Sequence, residues 1–224
     1  MDPIKLWCLL PSVAQATKVD LNAEYLKSPV NMFSTDEQCR FVAGISGNEV
    51  TYGGFGEERS DLLAGFEKEA EENAKAAAAA APEVAPRQRF RMTHLGIDIN
   101  NLDVGQMVCS LTDGIVFHVL DDETAMNGWG TRIITFDGDD TYCLYGHLSK
   151  TTHRAGDVIY KTDLIGRIGA PAENGGWFPH LHLQVMTSLY MEDYRGRYTS
   201  IDGYSFYQKV SDLRGIVDPE TFLA

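Results

Sequence analysis

No apolar run in the 224 residues approaches the eighteen or so that a membrane-spanning helix needs, so a helical transmembrane protein is excluded. Basic residues are scarce: 19 Lys+Arg stand against 32 Asp+Glu, a net charge of −13. Sequence-independent nucleic-acid binding needs a basic face to neutralise phosphates, and anionic membranes need the same, so neither partner fits. Paired cysteines are also missing. The four lie at 8, 39, 109 and 143 with no CxxC spacing, which argues against a zinc knuckle or a thioredoxin motif. Wide spacing in an acidic chain of this size reads as free thiols in a reducing compartment. No internal repeat is present.

What remains is an ordinary soluble globular composition, 44% hydrophobic and 23% charged. The length suits one domain with additions and is enough to bury a core without disulfides. At the N-terminus Leu6 to Val13 is apolar, Lys5 precedes it and Ala14-Gln15-Ala16 is a small-x-small triplet, as in a secretory signal. Asp2, Pro11 and the shortness of the run oppose that reading. The expectation is therefore a cytoplasmic protein, with secretion after cleavage near Ala16 as the competing reading.

Four zones follow from composition. Residues 1–60 are mixed, with helices expected near Asp20–Lys27 and Asp36–Val42, and then a glycine-rich stretch ending Gly53-Gly54-Phe55-Gly56-Glu57-Glu58-Arg59. Residues 61–88 are an alanine- and glutamate-rich insertion, expected as an exposed helix capped by Ser60 or Asp61, stopped by Pro82 and followed by a linker. Residues 89–187 show short β-branched and aromatic runs between turn signals, at Thr131–Asp137, Thr141–Leu148, Asp157–Ile159, Leu164–Ile168 and Leu181–Met186. Residues 188–224 are a tyrosine-bearing extension expected to pack on that domain. The fold class is mainly β with peripheral helices, an antiparallel β-sandwich or open barrel.

Four of the six histidines form a pattern within the β region. In His94-Leu95-Gly96-Ile97-Asp98 an i, i+4 spacing on one strand would put a nitrogen and a carboxylate on the same face. In His180-Leu181-His182-Leu183 the two imidazoles share one face and the two leucines the other. Tyr145-Gly146-His147-Leu148 adds a third histidine on a strand. Two histidines and one aspartate meet the three-ligand count of a catalytic zinc site with its fourth position open to water. His118 and His153 read as ordinary strand and turn residues. Cys143 would share a strand face with His147.

These three elements, in this order, resemble the signature of the M23 (LytM/lysostaphin-type) zinc metallopeptidases, whose catalytic β-domain, of the duplicated hybrid motif type, would span about His94 to Val185. The resemblance implies one zinc ion per chain held by His94, Asp98 and His182. It implies His180 as general base or water-orienting group and His147 as the oxyanion-stabilising group. The implied activity is hydrolysis of peptide bonds in glycine-containing or peptidoglycan-type cross-links, with a peptide or muropeptide as partner. Tyr145 and Trp177 are expected to line the groove. The segments at 53–59 and 173–179 resemble a subgroup sometimes fused to aminotransferases, which implies association with such enzymes and leaves a small peptide or amide metabolite as the alternative substrate. A non-catalytic M23-like binding module and a phosphocarrier are the remaining alternatives.

Overall fold

Side chains alternate along a strand, and in Leu181–Thr187 this sorts the sequence into two layers. Leu181, Leu183 and Val185 enter the main core with Ile97, Ile99, Val108, Ile133 and Tyr145. His182 and Gln184 point to the other face. The computed structural model describes residues 16–47, 49–65, 92–122, 128–205 and 208–223. Within them the strands are β1 (Thr17–Val19), β2 (Thr51–Gly53), β3 (Thr93–His94), β4 (Ile97–Asn100), β5 (Met107–Cys109), β6 (Gly114–Asp122) and β7 (Gly130–Phe136). They continue with β8 (Thr141–Leu148), β9 (Val158–Ile159), β10 (Leu164–Arg167), β11 (Leu181–Thr187), β12 (Tyr204–Ser205) and β13 (Ile216–Val217).

The large sheet runs β1-β2-β4-β11-β8-β7-β6-β9, with β13 also on β11. Among the described strands only the β1–β2 pair is parallel. The β5–β10 pair lies apart from this sheet and contributes Val108 and Ile165 to the main core. The protein is mainly β with peripheral helices, as its turn-punctuated runs predict, and the five expected strands appear with ends shifted by a residue or so.

The opposite face of the sheet is covered at two places. On one side lie α1 (Leu21–Lys27) and α2 (Thr35–Ser46). Each starts at a cap residue whose side chain accepts a backbone N–H: Asp20 from Ala23 at 2.8 Å and Ser34 from Glu37 at 3.4 Å. Their apolar residues Leu21, Phe41 and Val42 pack with Met32, Leu62, Leu63, Met92 and Phe178. On the other side α3 (Ser188–Asp193) brings Tyr190 and Met191 against Ile134, Leu144, Met186 and Ile201. The polar face of β11 is left between these two apolar clusters.

Two expectations change. Of the alanine-rich insertion, residues 66–88 lie outside the described residues; Leu62 and Leu63 at its start are buried rather than exposed, because they complete the cluster beneath α1 and α2. The free-thiol reading holds at Cys39 and Cys143 but not at Cys109, which is disulfide-bonded. Gly44, inside α2, offers a simple check of the helix: a Cβ there would meet nothing within 4 Å. Gly44→Ala should stabilise the protein by about 0.5–1 kcal/mol in urea denaturation, through helix propensity alone.

Candidate metal centre and active site

Strand register builds the centre of the site. His182 lies opposite Asp98 on β4 and opposite Gly146 on β8, and Asp98 lies opposite Gly53 on β2. One row thus crosses four strands as Gly53, Asp98, His182 and Gly146. The glycines at its ends make room: a Cβ on Gly53 would overlap Arg59 Nη2, and one on Gly146 would sit 2.6 Å from the Trp129 ring.

His94 reaches this row by a different route from the one its spacing suggests. The stretch 94–98 is not a single strand. It breaks at Leu95-Gly96, so that His94 ends β3, paired with β12, while Asp98 belongs to β4, paired with β2 and β11. The break is where β11 passes closest. A Cβ on Gly96 would overlap the Leu183 carbonyl oxygen and lie 2.7 Å from His182 Nε2. Gly96→Ala should therefore cost about 1–3 kcal/mol of stability by overpacking and displace the His182 ring, read as a lower urea midpoint together with weaker metal uptake.

The three side chains His94, Asp98 and His182 converge, all buried. His94 Nδ1 donates to the Gly54 carbonyl at 3.1 Å, so its Nε2 carries the lone pair. His182 Nε2 donates to Gln184 Oε1 at 3.2 Å, so its lone pair is on Nδ1. These two lone-pair nitrogens are 3.1 Å apart, and Asp98 Oδ1 lies 3.3 Å from His94 Nε2 and 2.9 Å from His182 Nδ1. Three acceptors facing one another call for a cation between them. Zinc bonds of about 2.0–2.1 Å in a tetrahedron put ligand atoms about 3.3–3.4 Å apart, close to these separations. The donor set and the outward hydrogen bonds of both rings fit a divalent metal of the zinc type.

The electrostatics agree. Burial, aided by the Arg59 guanidinium, lowers His94 to about 4, so the ring is neutral and free to ligate at pH 7. Asp98 is held well below the usual carboxylate range: burial alone would raise it, but the charge of the Arg59 guanidinium beside it overcomes that.

The two remaining predicted residues stand beside this cluster. His180 Nδ1 donates to the Phe178 carbonyl at 2.7 Å, leaving Nε2 bare and 3.9 Å from Asp98 Oδ1. His147 Nδ1 donates to the Asn174 carbonyl at 2.9 Å, leaving its Nε2 bare as well. The two rings lie 4.3 Å apart between centroids. Burial lowers both, and each lacks a proton on the nitrogen turned away from its carbonyl. Both begin as proton acceptors, and either donates from Nε2 only after taking up a proton.

His147 owes its position to a bulge. Thr131 pairs with Leu148 and Ile133 with Tyr145, so Gly146 and His147 together face the single residue Arg132. His147 takes φ 62°, the left-handed region that β-bulges use. The bulge reverses the alternation along β8. Tyr145 points into the main core, where its hydroxyl accepts from the Leu111 N–H at 2.8 Å, and so does Cys143. The expectation that Tyr145 lines the groove is thus corrected. The aromatic beside His147 is Trp129, stacked on it at 5.6 Å and 23°.

The site opens into a cavity of about 330 Å³ whose walls include Trp129, Trp177, Phe178 and residues 199–204. Trp177 is placed as expected. The 199–204 wall is held by Arg132, which donates to the carbonyls of Ile201 at 2.7 Å and Thr199 at 2.6 Å. Asp202 in that wall is pushed up by burial. Sequence reasoning missed Trp129, Arg132, Gln184, Asp202 and Tyr204. It also gave no role to Arg59, which bridges Asp98 and Glu57. The only sequence signal for Arg59 is a lone cation directly after two glutamates in a glycine-rich stretch.

Residues 92–196 match the model described as peptidase family M23. No curated protein matches the chain. Among solved structures, LytU is similar, with 21% identity over 62% of this chain and 77% of that one, at a TM-score of 0.42. Lysostaphin from Staphylococcus simulans is 24% identical over 58% of this chain and 43% of its own, at a TM-score of 0.41. A zinc containing peptidase from Vibrio cholerae is 25% identical over 47% of this chain and 30% of its own, at a TM-score of 0.38.

Proposed function

We propose that the chain, a peptidase whose residues 92–196 belong to family M23, is a zinc metalloendopeptidase acting on glycine-containing or peptidoglycan-type peptide links. The observation that carries this reading is the convergence of His94 Nε2, Asp98 Oδ1 and His182 Nδ1, each with its lone pair turned to the same point. When bound there, zinc supplies Lewis acidity, polarising a carbonyl and bringing the pKa of a coordinated water from about 15.7 to near 7.

The chain's own residues do the rest. His180 is anchored through Nδ1, so its bare Nε2 is fixed on the cavity side of Asp98, where it takes the proton from an attacking water. His147 is the neighbouring ring. Its Nε2 would hydrogen-bond a developing oxyanion in the protonated state, while the proton taken up by His180 is returned to the departing amine. Trp129 stacked on His147 keeps that ring in one orientation and excludes water from one side. Tryptophan walls and a cavity of about 330 Å³ favour a backbone with little side-chain bulk on either side of the scissile bond.

The test is a cleavage assay on glycyl peptides and muropeptides, read by mass spectrometry, together with elemental analysis. We expect about one zinc per chain, and loss of cleavage on chelation with recovery on adding zinc. Cleavage that survives complete metal removal would defeat the reading.

A further inference from the structure

Arg59 is a fully buried cation one hydrogen bond from a metal ligand. A buried guanidinium is stable only when its donors are matched by acceptors and its charge is offset. Here the two terminal nitrogens are matched and Nε is not: Nη1 donates to Asp98 Oδ2 and, at 3.2 Å, to the Tyr204 hydroxyl, Nη2 donates to Glu57 Oε2 at 2.9 Å, and Nε has no partner among the described residues. Gly53 leaves the room this requires, since any Cβ there would overlap Nη2. Asp98 is thereby divided: Oδ2 belongs to Arg59, and Oδ1 faces His94 Nε2 and His182 Nδ1.

We propose that Arg59 is a positioning residue of the metal centre, which confines Asp98 to one-oxygen ligation by occupying Oδ2 and so keeps a coordination position free. A carboxylate with both oxygens free can take a divalent ion bidentately, as acidic ligands commonly do. That would fill the position that water or a substrate carbonyl needs. A guanidinium is well suited to prevent it, because its planar fork fixes the carboxylate plane while keeping its charge at any working pH. It also offsets Asp98 in the metal-free protein, so the three acceptors stay together before a metal arrives. Arg59 and Glu57 both precede residues 92–196, so the centre extends beyond the family-matched segment into the glycine-rich stretch that follows β2.

The inference rests on the zinc-site reading, and the experiment separates the two. The full chain and its Arg59→Met and Arg59→Lys variants are loaded with cobalt(II), and visible absorption is recorded alongside peptide cleavage. Four-coordinate cobalt absorbs several-fold more strongly than five-coordinate cobalt. The unsubstituted chain is expected to give the intense four-coordinate spectrum. Arg59→Met is expected to bind one equivalent with bands weakened several-fold and turnover reduced at least tenfold. Arg59→Lys, which restores one donor, should recover much of the intensity. If Arg59→Met does not fold, Glu57→Gln loosens the other anchor of the guanidinium and should weaken the bands in part. A four-coordinate spectrum and full turnover in Arg59→Met, or in both Arg59→Lys and Glu57→Gln where Arg59→Met is unfolded, would overturn the role of Arg59 and leave the zinc site standing. No cobalt binding by the unsubstituted chain would remove the zinc site and this inference together.

Discussion

His182→Ala is expected to release the metal and abolish cleavage while leaving the sheet folded. His182 is a central member of the row, opposite both Asp98 and Gly146, and is one of the three converging side chains that could hold a metal ion. Apparent zinc affinities of four-ligand sites correspond to about 10–16 kcal/mol, or roughly 3–4 per ligand, so losing one raises the dissociation constant on the order of 10²–10³-fold. The core is spared, because Leu181 and Leu183 face the other way and stay packed. Circular dichroism should be unchanged, and zinc by elemental analysis after dialysis should fall well below one per chain. Retention of stoichiometric zinc would show that His182 is not a ligand.

His147→Gly should do the reverse: full metal content and a loss of turnover on the order of 10²–10³-fold, the usual cost of removing one group that stabilises an oxyanion. Glycine is the informative replacement. His147 sits at φ 62°, a conformation that burdens an L side chain by about 1–2 kcal/mol and glycine hardly at all. Its backbone is engaged at both ends, with its N–H donating to the Trp129 carbonyl and its own carbonyl accepting from Gly169, each at 3.0 Å. The bulge therefore survives without the ring. The relief of backbone strain offsets part of the lost stacking on Trp129, so the melting temperature should move little. A variant that retains zinc and full turnover would remove His147 from the mechanism.

What the sequence made legible was face, and what it hid was interruption. The facing of His182 against Leu181 and Leu183 could be read because these residues lie in one regular strand, β11, which His180 immediately precedes. The same alternation rule, applied to 94–98, brings His94 and Asp98 together as the structure does but through the wrong geometry, since the stretch is two strands joined at Gly96. Applied to β8, it puts Tyr145 on the site face, where the bulge at Gly146 and His147 forbids it. A bulge shifts register by one residue and has no strong local signature beyond a glycine. Arg59 was hidden for another reason. It lies 39 residues from Asp98, and its part in the site follows from sheet register rather than from any spacing along the chain. Trp129 and Tyr204 likewise enter from strands or loops whose partners could not be named in advance.

The row of Gly53, Asp98, His182 and Gly146 also has a bearing on when the protein becomes active. No two of its members are neighbours in the chain, and its histidine follows the other three. A nascent polypeptide still attached to the ribosome short of that residue holds only part of the ligand set and cannot cut anything. Contacts of such long sequence separation also close slowly. A complete row is thus deferred until the chain has been made past His182.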